Sequence, residues 1–290
     1  MIDSEPPADP GGSAVRRTAN SLADALLPIA MNERTAVQKA HGGVVRDHRL
    51  RAARDLIARI PPLAPRRIAD VFSGEGSMTP LLAGRFPEAR IEAVDLSHLG
   101  DRAPEPGLAR ILGQFPGPRF PARGKFDLIF WNGSLEFVPS LPRRLPAFIE
   151  MLTPGGCLGV QIPNDLYEPS RALVRMVAAE GPWARTLLPI AKTQPFNESM
   201  EGLYALLRPI SAGLDIWEAA YLHAMRDVAA IVELMEATRL GPFLAPLQPA
   251  DRRAFLARYA DELKRAYPAD PDGRVLLRLR RLFLVAQSKA

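Results

Sequence analysis

A short glycine-containing segment is the first feature of this sequence that could bind a ligand. An apolar stretch leads into Asp70-Val-Phe-Ser-Gly-Glu-Gly76, and a helical pattern follows. Glycines between a strand and a helix let backbone N–H groups approach a bound molecule closely. The spacing lacks the third glycine of a dinucleotide fingerprint, and no Gly-Lys-Ser/Thr is present, which excludes a phosphate-binding P-loop. The alternative interpretation is an ordinary strand-to-helix turn.

Two polar residues at the ends of other predicted strands could complete such a site. Asp95 ends the second strand, 21 residues after Gly74, where a carboxylate can accept both hydrogen bonds of a ribose diol. Asn132 ends the fourth strand and offers an amide donor and acceptor there. Both also have a simpler interpretation as turn residues. The glycine segment and Asp95 together favour ribose binding.

Bringing these residues to one edge requires a parallel sheet, and the apolar pattern predicts one. The predicted strands, roughly seven in all, are 67–72, 90–95, 109–113, 126–131, 157–162, 215–223 and 275–285. Helical patterns at 48–60, 78–86 and 141–152 alternate with the early strands. This alternation is typical of an α/β fold with helices on both faces of a mostly parallel sheet.

The second half of the chain is richer in predicted helices, at 167–179, 200–207, 224–238 and 250–267. We expect them to form a cap over the carboxyl ends of the strands, where ligands bind in open α/β sheets. Residues 1–20 are predicted to be a disordered tail, because they are rich in Pro, Gly, Ser and Asp. Residues 21–290 are predicted to form one domain, with cap insertions over 166–210 and 224–270.

Composition narrows the class of partner. The 290 residues are 47% hydrophobic and 24% charged, as in soluble globular proteins. The arginines behind the net charge of +5 are spread along the chain, which predicts no nucleic-acid partner and suits an anionic small molecule. The single cysteine, Cys157, excludes an internal disulfide and is expected to be a small buried residue. With neither a signal pattern nor a spanning stretch, and no cluster of metal ligands, we expect a cytoplasmic protein without a membrane partner or a bound metal.

Several segments, in order, resemble the trans-aconitate methyltransferases, over roughly residues 49–286. They are Phe126-Asp-Leu-Ile-Phe-Trp-Asn-Gly-Ser-Leu-Glu-Phe-Val-Pro139, the stretch 154–170, Gly181-Pro-Trp183, Asp215-Ile-Trp217 with Tyr221 and His223, Asp272-Gly-Arg-Val-Leu-Leu277, and Arg281-Leu-Phe283. The spread of these matches is more specific for the family than any one motif.

The resemblance implies a class I S-adenosylmethionine methyltransferase with a Rossmann-like sheet. Its members methylate a carboxylate oxygen of trans-aconitate or a related small organic acid. The implied contacts to S-adenosylmethionine are Asp70, Ser73, Gly74, Gly76, Asp95 and Asn132.

The chain departs from the family pattern at predicted ligand contacts. Phe72 replaces the first glycine of a Gly-x-Gly-x-Gly loop and is expected to narrow the cofactor mouth. No acidic residue within 114–120 is present to hold the adenine amine. Gly42 and Gly241 replace a tyrosine and an arginine near the substrate, which predicts an acid with fewer or differently placed carboxylates than trans-aconitate. Alternatively, Arg239 takes over the lost arginine's role from two positions away.

The side chains predicted to line the substrate pocket are Arg49, Tyr204, Trp217, Tyr221 and His223. Trp217, Tyr221 and His223 share one face of a predicted strand because side chains alternate with a period of two. The alternative is that the two aromatic residues are core packing and that the histidine is structural. No residue is assigned as a catalytic acid or base, since a carboxylate is already anionic near neutral pH.

Two hypotheses about function follow. The first is an active S-adenosylmethionine-dependent carboxyl O-methyltransferase acting on a small carboxylic acid. The second is a non-catalytic relative, kept as a binding or regulatory partner of another protein because its cofactor loop is altered.

Overall fold

The computed structural model describes residues 50–71, 78–95, 111–112, 125–133, 141–192 and 199–290. Within these ranges, seven strands form one sheet in the order β3-β2-β1-β4-β5-β7-β6. Their bounds are β1 Arg67–Val71, β2 Arg90–Asp95, β3 Ile111–Leu112, β4 Phe126–Asn132, β5 Leu152–Pro163, β6 Ser211–Met225 and β7 Val275–Ser288. The first five strands pair in parallel, and β7 pairs antiparallel with both β5 and β6. The predicted α/β architecture is therefore confirmed.

Helices cover both faces of the sheet. Helix α1, residues 50–59, and helix α2, Thr79–Arg85, pack on one face, called here the α1 face. Helix α3, Leu141–Glu150, and helix α6, Met200–Leu207, pack on the opposite α3 face. Alternation along β4 divides its side chains between the two faces, so that Phe130 lies on the α1 face and Trp131 on the α3 face.

A cap of five helices sits beyond the sheet on the ribbon formed by β6 and β7. These helices are α4 Pro169–Glu180, α5 Ala184–Lys192, α7 Val228–Thr238, α8 Gly241–Leu244 and α9 Pro249–Ala266. Their apolar faces share one buried cluster with Val275, Leu277 and Leu279 of β7. Among the described helices, none is long and apolar enough to cross a membrane.

Several element boundaries differ from the sequence-based prediction for local physical reasons. Strand β6 continues to Met225 because it keeps pairing with Val275, and Asp227 then caps α7 by accepting a hydrogen bond from the Ala230 amide at 2.8 Å. Helix α5 was not predicted. Helix α6, placed by sequence in the cap, packs instead on the α3 face of the sheet. The predicted disordered tail lies outside the described residues.

Asp127 joins three strands at the amino edge of the sheet. Its Oδ2 accepts hydrogen bonds from the backbone amides of Arg66 and Arg67, at 2.8 and 2.9 Å, where β1 begins. Its Oδ1 accepts from the Thr153 hydroxyl of β5 at 2.9 Å. Partial burial by itself would raise the pKa of Asp127, but these hydrogen bonds outweigh that effect and hold the pKa below its ordinary value.

We predict that Asp127→Ala lowers the free energy of unfolding by about 1–2 kcal/mol near neutral pH, allowing for the partial exposure of the carboxylate. A lowered folded-state pKa means that this stabilisation is complete above the unfolded pKa of about 4 and is lost as the pH falls through the folded value. Urea unfolding at several pH values measures the difference. The exposed Glu88→Ala is the control, and a deficit that stayed constant into acid would contradict the assignment.

Candidate functional site

The strand order places a crevice at the centre of the sheet. Strands β1, β2, β4 and β5 run in parallel, so they end at one edge, called here the carboxyl edge. The order changes direction between β1 and β4, because the chain first builds outward to β2 and β3 and then returns to β4 and β5. Ligands of open α/β sheets bind at such a switch point.

Asp70 connects the strand and the helix that flank the glycine segment. It is fully buried near the end of β1 and accepts a hydrogen bond from the Thr79 hydroxyl of α2 at 2.8 Å. This bond fixes the two ends of the segment relative to each other. Direct contact between Asp70 and the cofactor remains a prediction. Ser73, Gly74 and Gly76, like Phe72, lie outside the described residues.

The other two predicted cofactor residues lie at the same edge. Strand β2 ends at Asp95, one register step beyond the pair Val71–Val94. Strand β4 ends at Asn132, whose side chain is 2% exposed and donates a hydrogen bond from Nδ2 to the Met78 sulfur at 2.9 Å. The ends of three neighbouring strands, β2, β1 and β4, therefore meet at one edge of the sheet, and Asp95 and Asn132 are the last residues of two of them. That these residues bind a nucleoside remains a prediction.

Of the alternatives left open for Trp217, its contacts favour packing. The indole stacks on Phe283 with ring centroids 4.9 Å apart and planes 6° from parallel. The Arg59 guanidinium of α1 lies 4.7 Å from the indole centroid and forms an ion pair with Asp215 at 2.8 Å. Trp217 is therefore held between β7 and α1 on the α1 face.

Tyr221 also bonds to α1. Its hydroxyl donates to Asp55 Oδ2 at 2.5 Å, and the Arg51 guanidinium lies 5.3 Å from the ring centroid. Burial, and secondarily the hydrogen bond to Asp55, raise the pKa of Tyr221 above its ordinary value. The phenol therefore stays protonated and does not act as a base near neutral pH.

The four predicted substrate residues that the structure describes do not form one cluster. Tyr204 lies on α6, which covers the α3 face, and its side chain is 50% exposed. His223 is buried two residues beyond Tyr221 on β6, opposite Leu277 of the cap cluster. Arg49 lies outside the described residues. A substrate role for these side chains remains a prediction.

Two buried polar residues on β7 and β5 were not selected from the sequence. Along one face of β7, the buried apolar series Val275, Leu277, Leu279, Phe283 and Val285 is interrupted only by Arg281, which is 9% exposed. On β5, Gln161 is 1% exposed and is the register partner of Asn132. Each is a long polar side chain inside an apolar strand pattern, and that interruption is the sequence signal that could have identified both.

Further buried charges lie just beyond the end of β5. Asp165 is buried and contacts Arg171 of α4 and Arg239 at the end of α7, at 3.8 and 3.7 Å. The side chains of these two arginines are 10% and 12% exposed. The buried Arg171 and Arg281 and the partly buried Arg239 therefore place three guanidinium groups near the junction of sheet and cap. Guanidinium is the side-chain group best suited to grip a carboxylate.

Cys157 matches its predicted role. It lies fully buried on the α1 face of β5, and burial raises the pKa of its thiol to about 12. A thiol in this state is not a nucleophile near neutral pH.

The chain is similar to known methyltransferases along most of its length. Residues 45–197 match a family model described as a methyltransferase domain. The trans-aconitate 2-methyltransferase of Rhodopseudomonas palustris (strain BisB18) is 39% identical over 249 residues, which cover 83% of this chain and 94% of that protein. The enzyme of the same name from Methylobacterium radiotolerans is 42% identical over 246 residues, with the same shares covered. That of Variovorax paradoxus is 39% identical over 254 residues, which cover 84% and 95%.

We predict that Asp95→Ala weakens binding of S-adenosylhomocysteine about ten- to a hundredfold, because hydrogen bonds from a ribose diol to a carboxylate are lost. Isothermal titration calorimetry of the wild type and the variant measures this change. Asp261→Ala, on the exposed side of α9, is a control that removes a carboxylate far from the crevice. Equal affinity in wild type and Asp95→Ala would show that the ribose is held elsewhere.

Proposed function

Because the chain belongs to the trans-aconitate 2-methyltransferase family, we propose that it transfers a methyl group to a carboxylate of trans-aconitate or a closely similar small polycarboxylic acid. The chain is a methyltransferase whose cofactor is S-adenosylmethionine. Of the two hypotheses drawn from the sequence, the comparisons support the enzyme over the non-catalytic partner.

The crevice at the switch point suits the cofactor. Asp95 would accept hydrogen bonds from the ribose, Asn132 would lie near the methionine end, and Asp70 would anchor the glycine segment from below. S-Adenosylmethionine, when bound, supplies a methyl group on a positively charged sulfur that an anionic oxygen can accept without prior proton transfer. The protein's part is therefore to bind the acid, orient one carboxylate and exclude water.

The observation that carries the proposal is the buried Arg281 at the junction of sheet and cap. It is opposite Pro163, the last residue of β5, and two residues along β7 from Phe283. A guanidinium at the carboxyl edge can pair with a carboxylate through two parallel hydrogen bonds, and this chemistry supports an acidic ligand. Arg281 would hold a carboxylate that does not react while another one faces the methyl group.

The position of Arg239 bears on which acid is bound. Loss of a family arginine at Gly241 predicted an acid other than trans-aconitate, unless Arg239 replaced it. Arg239 reaches Asp165 at the junction of sheet and cap with a side chain that is 12% exposed. We propose that Arg239, besides its contact with Asp165, takes the place of the lost arginine, which would allow a polycarboxylate of the trans-aconitate type.

Methyl transfer from labelled S-adenosylmethionine to a panel of acids tests the proposal. The panel contains trans-aconitate, cis-aconitate, a saturated tricarboxylic acid, a dicarboxylic acid and a monocarboxylic acid. We expect the tricarboxylic and dicarboxylic acids to be methylated more efficiently than the monocarboxylic acid, because a second carboxylate can pair with Arg281. Turnover of the monocarboxylic acid alone, or of no acid, would overturn the proposed substrate class.

We predict that Arg281→Met raises KM for the preferred acid about ten- to a hundredfold, because a charge-assisted pair with the substrate is lost. Affinity for S-adenosylhomocysteine should not change. Arg280→Met is the matched control, since Arg280 points to the other face of β7 and bonds to Glu168 at 2.9 Å. If both variants kept the wild-type KM, Arg281 would have no role in substrate binding.

A further inference from the structure

Gln161 is a buried polar side chain that the fold alone does not explain. It lies within β5, is 1% exposed, and its Nε2 has no hydrogen-bond partner among the described residues. Leaving a buried amide donor unsatisfied costs about 1–3 kcal/mol. A group of this kind in a native protein calls for a ligand, an ion or a water to satisfy it.

The register places Gln161 between the cofactor crevice and Arg281. Asn132 of β4 is its partner on one side, and neighbouring strands are about 4.8 Å apart. Phe283 of β7 is its partner on the other side, so Arg281 occupies the diagonal position at about 7–8 Å between Cα atoms.

Alternation directs these side chains to the same face. Cys157, four residues before Gln161 on β5, packs on the α1 face. Phe130, two residues before Asn132 on β4, packs on the same face. By the period of two, Gln161 and Asn132 therefore face the α1 side, and Arg281 does so beside Phe283. Amide, amide and guanidinium form one row along the carboxyl edge.

We propose that Gln161 donates a hydrogen bond from Nε2 to the carboxylate that accepts the methyl group, an assignment that rests on the proposed function. A carboxylate has two oxygens. The Gln161 amide binds one oxygen and leaves the other free to attack the methyl group. Binding of the first oxygen fixes the direction in which the lone pair of the attacking oxygen points. Arg281 holds a second carboxylate of the same acid, so two contacts define the orientation of the substrate. Gln161 is a positioning residue that selects which carboxylate reacts.

Gln161→Met tests this role, since methionine keeps the length of the side chain and removes its polar atoms. We expect kcat/KM for the preferred acid to fall about ten- to a hundredfold. Part of this loss should appear in kcat, because orientation is lost as well as affinity. Thermal stability should be unchanged or higher, since a buried unsatisfied donor has been removed. A purely structural glutamine would instead lose stability and keep its kinetics.

Two further variants make the outcome specific. Gln161→Glu keeps the shape but places a carboxylate against the substrate carboxylate, so its loss of kcat/KM should exceed that of Gln161→Met. Thr153→Val, at the amino end of the same strand, removes the hydrogen bond to Asp127. It should lower stability without changing kinetics.

Each outcome separates the two proposals. If wild type methylates the acid and Gln161→Met matches it, the Gln161 assignment is overturned and the proposed function stands. Weaker S-adenosylhomocysteine binding in Gln161→Met, with unchanged KM for the acid, would assign the side chain to the cofactor and also overturn the inference. A wild type that methylates no acid would overturn the proposed function, and this assignment with it.

Discussion

The site depends on the length of the β6–β7 ribbon, which extends beyond β5, the strand that it joins to complete the sheet. Residues 281–287 of β7 pair with β5, whereas the preceding part, beginning at Val275, pairs with β6 alone. That free part carries the apolar side chains on which the cap helices pack. Sheet and cap are therefore fixed to one continuous pair of strands, and strand register places the cap beyond the end of β5.

At the junction, burial of polar groups works against stability. The apolar side chains on either side of Arg281 stabilise the fold by removal from water, whereas the guanidinium and the Gln161 amide lose hydration there. Replacement of such groups by apolar ones is often neutral or stabilising in a protein that has no ligand for them. Polar residues that interrupt an apolar strand pattern in this way concentrate at functional sites. Arg281 and Gln161 lie near the end of β5 beside the cofactor crevice, and this location favours a role in ligand binding.

Much of the sheet could be predicted because its signals are local. Strand β2 and helix α6 have the predicted bounds, Arg90–Asp95 and Met200–Leu207, since apolar period and turn residues decide such elements. The amino end of β5 could not be predicted, because Gly155, with φ of +73°, lies in a segment that loops out between two paired stretches. Only the pairing with β4 shows that both Leu152, before this segment, and Cys157, after it, belong to β5.

The site was less predictable than the fold because its members come from distant parts of the chain. Trp217 and Tyr221 have the residue types of a binding pocket, yet helix α1 covers them, and only the tertiary structure shows this. Arg281 and Gln161 were not selected as site residues, because each lies within an apolar pattern that predicts a buried strand. Their significance depends on the register of β4, β5 and β7, which no single segment contains.

A small polycarboxylate is proposed to bind at the carboxyl edge between the cofactor crevice and the cap. A crystal structure of the protein with S-adenosylhomocysteine and trans-aconitate tests it directly. We expect density for the acid with one carboxylate on the Arg281 guanidinium and another within hydrogen-bond distance of Gln161 Nε2, facing the cofactor sulfur. Density for the acid on the α3 face near Tyr204, or with Arg281 and Gln161 out of reach of any carboxylate, would contradict it.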